Sequence, residues 1–367
     1  PKQRFLMELE FPAAATKAIS YKNIRVTKVN GQPNELADVS AAEGAVITIE
    51  QNAPRSTVME EFTGTWCGWC PRGMVGIENL LKDFGNSFIP IAVHGGNDPM
   101  VIDAYSDILA KVEGFPNCVL DREVSGDPFY GSTYGLGSEP SYGIRNDVEA
   151  QLAKTTPAEV KISATSMEEE AITVSTSIRL MYPRTTTPPY TVAYVVCADS
   201  LRGDTSAWWQ NNDFSIPVAQ KYKDDPYLGW LTDEGARIRD IAYNDVAIAA
   251  FGIDNGFEIS PSEQWDGENW VEIDSRNLSL HGNKFIAEPS NLSVVAMIID
   301  TKTGGIMNAA KTKLGATGQS LVEEVSSVDS DQIISIYDIT GRKLPALIKG
   351  VNIILYKDGR VRKICNM

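Results

Sequence analysis

The stretch that decides the fold is Glu61–Pro71, which reads EFTGTWCGWCP and holds two cysteines three positions apart. The residues from Val58 to Phe62 alternate apolar and acidic side chains, which predicts a strand. Pro71 suits the first position of a helix, and the apolar spacing over residues 74–84 is helical. The two thiols are therefore predicted to lie in a turn between a strand and the N-terminus of a helix.

This position predicts redox chemistry for Cys67 and Cys70. Unpaired backbone N–H groups and the helix dipole stabilise a thiolate on the first cysteine, so we expect Cys67 to be the nucleophile and Cys70 the resolving thiol. Arg72 at the helix start favours the same thiolate, while the nearby acids oppose it.

Two other interpretations of the pair stay open. A zinc site would need two more ligands, and the other cysteines and histidines are scattered singly along the chain. A purely structural disulfide would close a very short loop and add little stability. We therefore favour redox chemistry and predict neither a metal nor a cofactor.

Residues 66–71, WCGWCP, resemble the active-site turn of the thioredoxin superfamily, with Trp69 where thioredoxin itself has proline. The resemblance implies an active-site supporting role for four residues of the turn: Trp66, Gly68, Trp69 and Pro71. It also implies that Glu61 is a buried acid that manages the proton when Cys70 attacks. A carboxyl group in an apolar strand has a raised pKa, which suits that role, whereas the neighbouring Glu60 is expected to face outward.

A second segment, Gly114–Asp121, reads GFPNCVLD and resembles the cis-proline loop of the same superfamily and the strand after it. The resemblance implies that the Phe115–Pro116 peptide bond is cis and that the backbone of Phe115 faces Cys67 and pairs with an extended substrate. A strand over residues 88–93 and a helix over residues 100–112 would complete the β-α-β order. Residues 48–155 are thus predicted to form an α/β thioredoxin-like domain.

Two single residues near this site allow more than one interpretation. His94 ends the predicted strand and is a candidate neighbour of the redox pair, although a polar loop residue is the commoner fate of a lone histidine. Cys118 lies two positions after Pro116 and reads as a small buried apolar residue.

The remaining chain is predicted to be rich in strands. An N-terminal β segment occupies residues 1–47, with strands over 18–29 and 44–49, and an all-β domain occupies residues 156–318. The strands predicted in that domain are 158–164, 171–181, 190–198, 247–251, 283–287 and 293–300. Their spacing favours an immunoglobulin-like β-sandwich. The polar insertion over residues 199–246 carries several aromatic residues, which we expect to pack beneath a long loop rather than to form a binding face.

The C-terminal residues 319–367 form a separate predicted unit, with three short strands between glycine turns. This unit resembles the C-terminal sorting domains of Bacteroidetes proteins that use the type IX secretion route. A small stabilising β unit retained on the mature protein remains the alternative. Across residues 50–315 the chain also resembles the outer-membrane-protein-28-like family of Bacteroidetes, in the motifs EEFTG, AYNDV and LSVVAMIID.

Composition narrows the classes of function. The formal net charge of −15 disfavours a nucleic-acid partner, and no apolar run approaches the roughly 20 residues of a membrane-spanning helix. Because the chain starts at Pro1, we expect that a signal segment has been removed. The expected location is extracytoplasmic: the periplasm, the outer membrane or the cell surface.

The sequence thus predicts an extracytoplasmic thiol–disulfide oxidoreductase whose catalytic residues are Cys67, Cys70, Glu61 and Pro116, supported by Phe115. The expected partners are protein thiols and disulfides, together with an outer-membrane or secretion-machinery partner of the C-terminal unit. The alternative is a cell-surface binding or adhesion protein in which the thioredoxin-like domain is mainly a scaffold.

Overall fold

The computed structural model describes residues 53–130, 143–164, 167–181, 187–259, 265–286 and 288–314, together with the backbone of four strands between residues 333 and 366. The two strands predicted within residues 1–47 lie outside the described residues. No helix in the described part of the chain is long and apolar enough to cross a membrane.

The first elements surround the cysteine pair. Their bounds are β1 Thr57–Thr63, α1 Pro71–Phe84, β2 Phe88–His94, α2 Ser106–Leu109, β3 Asn117–Leu120, β4 Val124–Gly126 and α3 Ile144–Leu152. Strand β1 is central, because it pairs in parallel with β2 on one side and antiparallel with β3 on the other, and β3 continues to β4. Every residue of β1 and β2 is buried, as expected for strands covered on both faces.

The following elements are mostly strands. Their bounds are β5 Ala158–Ala164, β6 Ala171–Leu180, β7 Tyr190–Ala198, β8 Gln210–Asn211, α4 Gly229–Asp233, β9 Arg237–Ile238, β10 Val246–Phe251, β11 Phe257–Glu258, β12 Val271–Ser279, β13 Leu292–Asp300 and β14 Ile306–Lys313. Four of them extend the first sheet into the order β14-β13-β7-β10-β2-β1-β3-β4, with β11 also paired to β7. The junction is a short parallel contact in which Val246 is the register partner of Ala92.

A second sheet, in the order β12-β6-β5, shares a buried core with one end of the large sheet. Ile162 and Val174 from the small sheet belong to the same apolar cluster as Tyr194 and Ile298 from the large one. The mixed α/β class is therefore confirmed, with a large mixed sheet and additional sheets. The immunoglobulin-like character of the β-rich part stays a prediction, as do the proposed domain boundaries. The large sheet itself is continuous across residue 155.

Two predicted elements are wrong. The helix expected over residues 100–112 is reduced to α2 and a 3₁₀ turn at Asp103–Tyr105, because Ile102 is extended and the Met100 N–H donates to the Asp98 carboxylate. The strand expected over residues 283–287 is absent from its described part, residues 283–286. There the side chain of Asn283 accepts from the Phe285 N–H and closes a turn.

The C-terminal unit contains four described strands: β15 Ile333–Asp338, β16 Lys343–Leu344, β17 Gly350–Tyr356 and β18 Val361–Asn366. They form an antiparallel sheet in the order β16-β15-β17-β18. The glycine-separated strands expected in this region are thus present, with one short strand more than the three predicted.

Candidate active site

Cys67 and Cys70 form a disulfide at the N-terminus of α1, with their α carbons 5.4 Å apart. The Cys67 N–H donates to the Gly64 carbonyl at 3.0 Å, and Pro71 is the first residue of the helix, as predicted. Cys67 is 5% exposed and Cys70 is completely buried. The first sulfur therefore lies nearest to solvent, where the helix dipole favours a thiolate.

Glu61 lies beneath the first turn of α1 and is 1% exposed. A β carbon added at Gly73 would overlap its Oε1 atom, so glycine at this position of the helix gives the carboxyl group its space. Oε1 is buried without a hydrogen-bond partner among the described residues. Burial, and secondarily the negative charge of Asp127, raise the pKa of Glu61 to about 8. Near neutral pH this group can hold and release a proton.

Glu60 points to the opposite face of β1, and the expectation that it faces outward is wrong. It is 2% exposed, because the sheet is covered on both sides. Its carboxylate accepts from Tyr105 Oη at 2.9 Å and from Arg122 Nε and Nη2 at 3.0 and 3.1 Å. Glu60 is therefore a fully partnered, structural carboxylate.

Arg72 does not face the cysteine pair as a lone positive charge. Its Nε and Nη2 donate to the two carboxylate oxygens of Asp127 at 2.8 and 2.5 Å. The negative charge of Asp127, which raises the pKa of Glu61, is thus held in place by Arg72 of α1. This bidentate pair partly cancels the effect expected of Arg72 on the thiolate.

The cis-proline loop and the first tryptophan of the turn lie side by side. The Phe115–Pro116 peptide bond is cis, as the resemblance implies. The ring of Phe115 lies 5.2 Å from the ring of Trp66, measured between centroids. Trp66 donates its indole N–H to the Gly95 carbonyl at 2.7 Å and is still 43% exposed. An exposed aromatic surface therefore borders the disulfide on this side.

His94 is buried rather than an exposed loop residue. Its Nδ1 lies 3.0 Å from Asp98 Oδ2, and the same carboxylate oxygen accepts from the Thr65 N–H at 2.6 Å. Burial acts to raise the pKa of Asp98, but the hydrogen bonds and the charge of His94 lower it overall. We call residues 64–70 the redox turn. His94 contacts this turn indirectly, because Asp98 links it to the backbone of Thr65.

Cys118 is the register partner of Glu61 across the β1–β3 pair and is completely buried. Burial, and secondarily the charge of Glu61, raise its pKa well above the ordinary value. This environment agrees with the interpretation of Cys118 as a small buried apolar residue.

A part of the polar insertion lies directly on the redox turn, which the sequence did not predict. We call residues 210–214 the covering segment. Gln210 Nε2 donates to the Cys67 carbonyl at 2.8 Å, and the Asn211 N–H donates to the Thr65 carbonyl at 2.7 Å. Asn211 Nδ2 donates to the Trp66 carbonyl at 2.8 Å. These bonds occupy the backbone carbonyls around the first cysteine.

The two residues between the cysteines, Gly68 and Trp69, contact the covering segment directly. The Asp213 N–H donates to the Gly68 carbonyl at 2.8 Å, and a β carbon added at Gly68 would overlap the Asp213 carboxylate. The ring of Trp69 meets the edge of Phe214 at 5.1 Å. Gly68 therefore gives a carboxylate room against the turn, and Trp69 packs against the next residue of the same segment.

The covering segment is itself firmly held. Asn212 Nδ2 donates to the Leu231 carbonyl at 2.8 Å, and the Asn212 N–H donates to the Ala236 carbonyl at 2.9 Å. Phe214 is buried in a small core with Tyr222, Leu231 and other apolar residues of the insertion. The aromatic content of the insertion was the only sequence signal for this core, and it did not indicate where the segment docks.

No protein-family model matches this chain. No curated protein matches it either. Among solved structures, HBP35 of Porphyromonas gingivalis is similar, with 17% identity, a TM-score of 0.48, and coverage of 86% of this chain and 100% of that one. A structural-genomics protein from Agrobacterium tumefaciens is similar at 13% identity and a TM-score of 0.37, covering 73% of this chain and 98% of that one. At these values neither likeness assigns the chain to a family.

Proposed function

We propose that this protein is an extracytoplasmic thiol–disulfide oxidoreductase that acts on protein disulfides and dithiols. One observation carries the proposal: a bonded cysteine pair lies at the N-terminus of α1, and the first turn of this helix covers a buried carboxyl group whose pKa is raised to about 8. A disulfide with a purely structural role does not require a buried carboxyl group nearby, and the Glu61 Oε1 atom, which no described residue hydrogen-bonds, lowers stability.

The surrounding elements support a thioredoxin-like assignment of this region. The strand order β2-β1-β3-β4, with β1 and β2 parallel and β3 and β4 antiparallel, agrees with that fold. The cis Phe115–Pro116 peptide in the loop before β3 agrees with it as well. These features would place Pro116 and the backbone of Phe115 where an extended substrate segment binds.

The reaction that these residues support has two exchange steps. The Cys67 thiolate attacks one sulfur of a substrate disulfide, forming a mixed disulfide and releasing one substrate thiolate. Glu61 in its ionised form accepts the Cys70 proton, and the Cys70 thiolate then attacks the Cys67 sulfur and releases the second substrate thiolate. The substrate gains two electrons, and the protein returns to the Cys67–Cys70 disulfide. The same steps in reverse oxidise a substrate dithiol.

The test is the reduction potential of the pair, the pH dependence of Cys67 alkylation, and turnover of a protein disulfide by the full chain. We expect a Cys67 pKa well below that of a free thiol, loss of turnover in Cys67→Ser, and a trapped mixed disulfide in Cys70→Ser. Cys197→Ser is the matched control, because this free thiol is buried in β7, which β10 and β2 separate from β1. An unreactive reduced Cys67, or turnover retained in Cys67→Ser, would refute the proposal.

A specific observation favours the alternative of a binding or adhesion protein. The covering segment hydrogen-bonds the redox turn and leaves Cys67 only 5% exposed. Under this alternative, small thiols would reduce the disulfide, but protein disulfides would not react with the reduced pair. Comparing a small disulfide with a protein disulfide as the oxidant of the reduced protein separates the two functions.

The extracytoplasmic location and the sorting role of the C-terminal unit belong to this proposal. They are supported by the motif resemblances and by the four-stranded sheet that β15 to β18 form. Cell fractionation with and without residues 319–367 tests both. Retention of the truncated protein inside the cell would support a transport address, whereas unchanged export with lower stability would support a stabilising unit.

A further inference from the structure

The covering segment brings a negative charge against the redox turn. Asp213 is the first residue of a 3₁₀ turn that spans Asp213–Ser215, and its backbone N–H binds the Gly68 carbonyl at 2.8 Å. Its carboxylate occupies the space that a side chain at Gly68 would fill. No described residue forms an ion pair with Asp213. An unneutralised carboxylate is therefore fixed beside the residue that follows Cys67.

We propose that Asp213 is a positioning residue whose charge disfavours the Cys67 thiolate and shifts the cysteine pair toward a more reducing potential. The inference deepens the proposed function, because it assumes that the pair cycles between disulfide and dithiol. Reduction by a dithiol breaks the Cys67–Cys70 bond, adds two electrons and leaves a thiolate on Cys67 near Asp213. The disulfide carries no such charge, so the repulsion acts on the reduced form alone.

Other charged groups also lie near this turn, and the effect of Asp213 on the Cys67 thiolate must be compared with theirs. The Arg72–Asp127 pair lies at the start of α1, and Asp127 is matched by the arginine. The His94–Asp98 pair acts from the loop after β2. Glu61 lies beneath the helix, and its raised pKa leaves it largely protonated at pH 7. Lys221 lines the cleft at Trp69 together with Arg72 but forms no ion pair with Asp213. Asp127 and Asp98 each have a partner, so Asp213 is the remaining aspartate near the turn, and no cation among the described residues pairs with it.

The glycine between the cysteines supports the same inference. Because any larger side chain at Gly68 would displace the carboxylate, the sequence of the turn and the position of Asp213 depend on each other. The segment is held through backbone and amide groups of Asn211, Asn212 and Asp213, so removing the charge of Asp213 leaves these bonds in place.

The experiment compares the full chain with Asp213→Asn, which keeps the volume and the backbone bond and removes the charge. We expect a lower pKa of Cys67 in the variant, with an ionisation constant of the thiol about threefold to tenfold larger than in the wild type. At a pH above the Cys67 pKa of both proteins, the reduction potential measured against dithiothreitol buffers should be less negative in the variant. The expected difference is about 30 mV for each tenfold change in the ionisation constant of Cys67. Both differences should shrink at about 1 M salt, where the screening length is about 3 Å.

Asp224→Asn is the matched control, because it removes one charge from an exposed position of the same insertion. Equal shifts in both variants, or an unchanged pKa and potential in Asp213→Asn, would overturn the inference. If Asp213→Asn does not fold, Gly68→Ala displaces the carboxylate while keeping its charge, and we expect a smaller shift in the same direction. An absence of any shift in Gly68→Ala would then overturn it.

The proposed function fails differently. A wild-type protein that does not turn over protein disulfides would refute the oxidoreductase, yet the pKa of Cys67 and the potential of the pair could still be compared between wild type and Asp213→Asn. A pair that stays oxidised in every dithiothreitol buffer, in both proteins, would refute the inference as well.

Discussion

Glu60 and Glu61 are neighbours on the same strand, are equally buried, and have opposite surroundings. Glu60 accepts three hydrogen bonds from Tyr105 and Arg122 on one face of the sheet. Glu61 lies on the other face beneath α1, where burial raises its pKa to about 8 and no described residue hydrogen-bonds to its Oε1 atom. A paired buried carboxylate stabilises a particular arrangement, whereas an unpaired one costs stability and is available for proton transfer. Under the proposed function, one face of β1 therefore carries a structural acid, and the other carries the acid that would transfer the proton.

The largest expected effect is on catalysis by Glu61. We expect Glu61→Gln to slow resolution of the mixed disulfide by roughly 10²–10⁴-fold, because Cys70 loses its proton acceptor. The measurement is rapid-mixing kinetics of substrate-thiol release. Glu60→Gln is the matched control from the other face, and it should retain the rate wherever the protein is folded. Equal loss in the two variants would remove the functional difference between the two acids.

For the free energy of unfolding, in contrast to the reaction rate, we expect a large loss when Glu60 is replaced. We expect Glu60→Ala to lower the free energy of unfolding by at most about 3–5 kcal/mol, because the partly buried Arg122 loses its carboxylate partner. Urea unfolding at pH 7 measures this loss. The double variant Glu60→Leu/Arg122→Met should be less destabilised than Glu60→Ala. If it is not, the unpaired charge is not the cause.

The pH dependence of stability separates the two acids further. Folded Glu61 keeps a proton up to about pH 8, while an unfolded glutamate releases it near 4.5. Its contribution is therefore fully present below pH 4.5 and is lost as the pH rises through about 8. Between pH 5 and 7.5 we expect the free energy of unfolding to fall by about 3 kcal/mol relative to Glu61→Gln. Urea unfolding at each pH measures this difference. If the free energy of unfolding changes equally with pH in the two proteins, the raised pKa of Glu61 is contradicted.

The smallest effect concerns the space around Glu61. We expect Gly73→Ala to cost about 1–3 kcal/mol, because the new methyl group overlaps the Glu61 carboxyl group. In a Glu61→Ala background the same substitution should cost clearly less, because alanine favours helix and only the 3.0 Å contact with Pro128 Cγ remains close. A double-mutant cycle by thermal unfolding measures the coupling. Additive effects would show that Glu61 does not occupy this space in solution.

Local patterns predicted the redox turn well because each signal lies within a few residues. The alternation before Phe62, the proline after Cys70 and the apolar spacing of α1 correctly indicated a strand, a turn and a helix. The cis peptide at Phe115–Pro116 followed from a resemblance and not from residue chemistry. The helix expected over residues 100–112 was wrong, because the Met100 N–H donates to the Asp98 carboxylate two positions earlier, and this local turn competes with the apolar periodicity.

The partners of the turn could not be predicted, because they are distant in sequence. Asp213 lies 145 positions after Gly68, and neither periodicity nor composition connects them. The same limit explains Glu60: alternation placed it opposite Glu61, but only the packing of Tyr105 and Arg122 shows that the opposite face is also buried.

The sequence by itself determined the cysteine pair at a helix N-terminus and the mixed α/β class, since these depend on local spacing and side-chain chemistry. The buried acid beneath the helix, Glu61, followed from a resemblance. Only the tertiary structure decided that β10 pairs with β2, that the two acids differ in their partners, and that a segment of the insertion covers the redox turn. Those features depend on contacts between residues far apart in the chain, and such contacts form only when burial and hydrogen bonding are satisfied together in the folded protein.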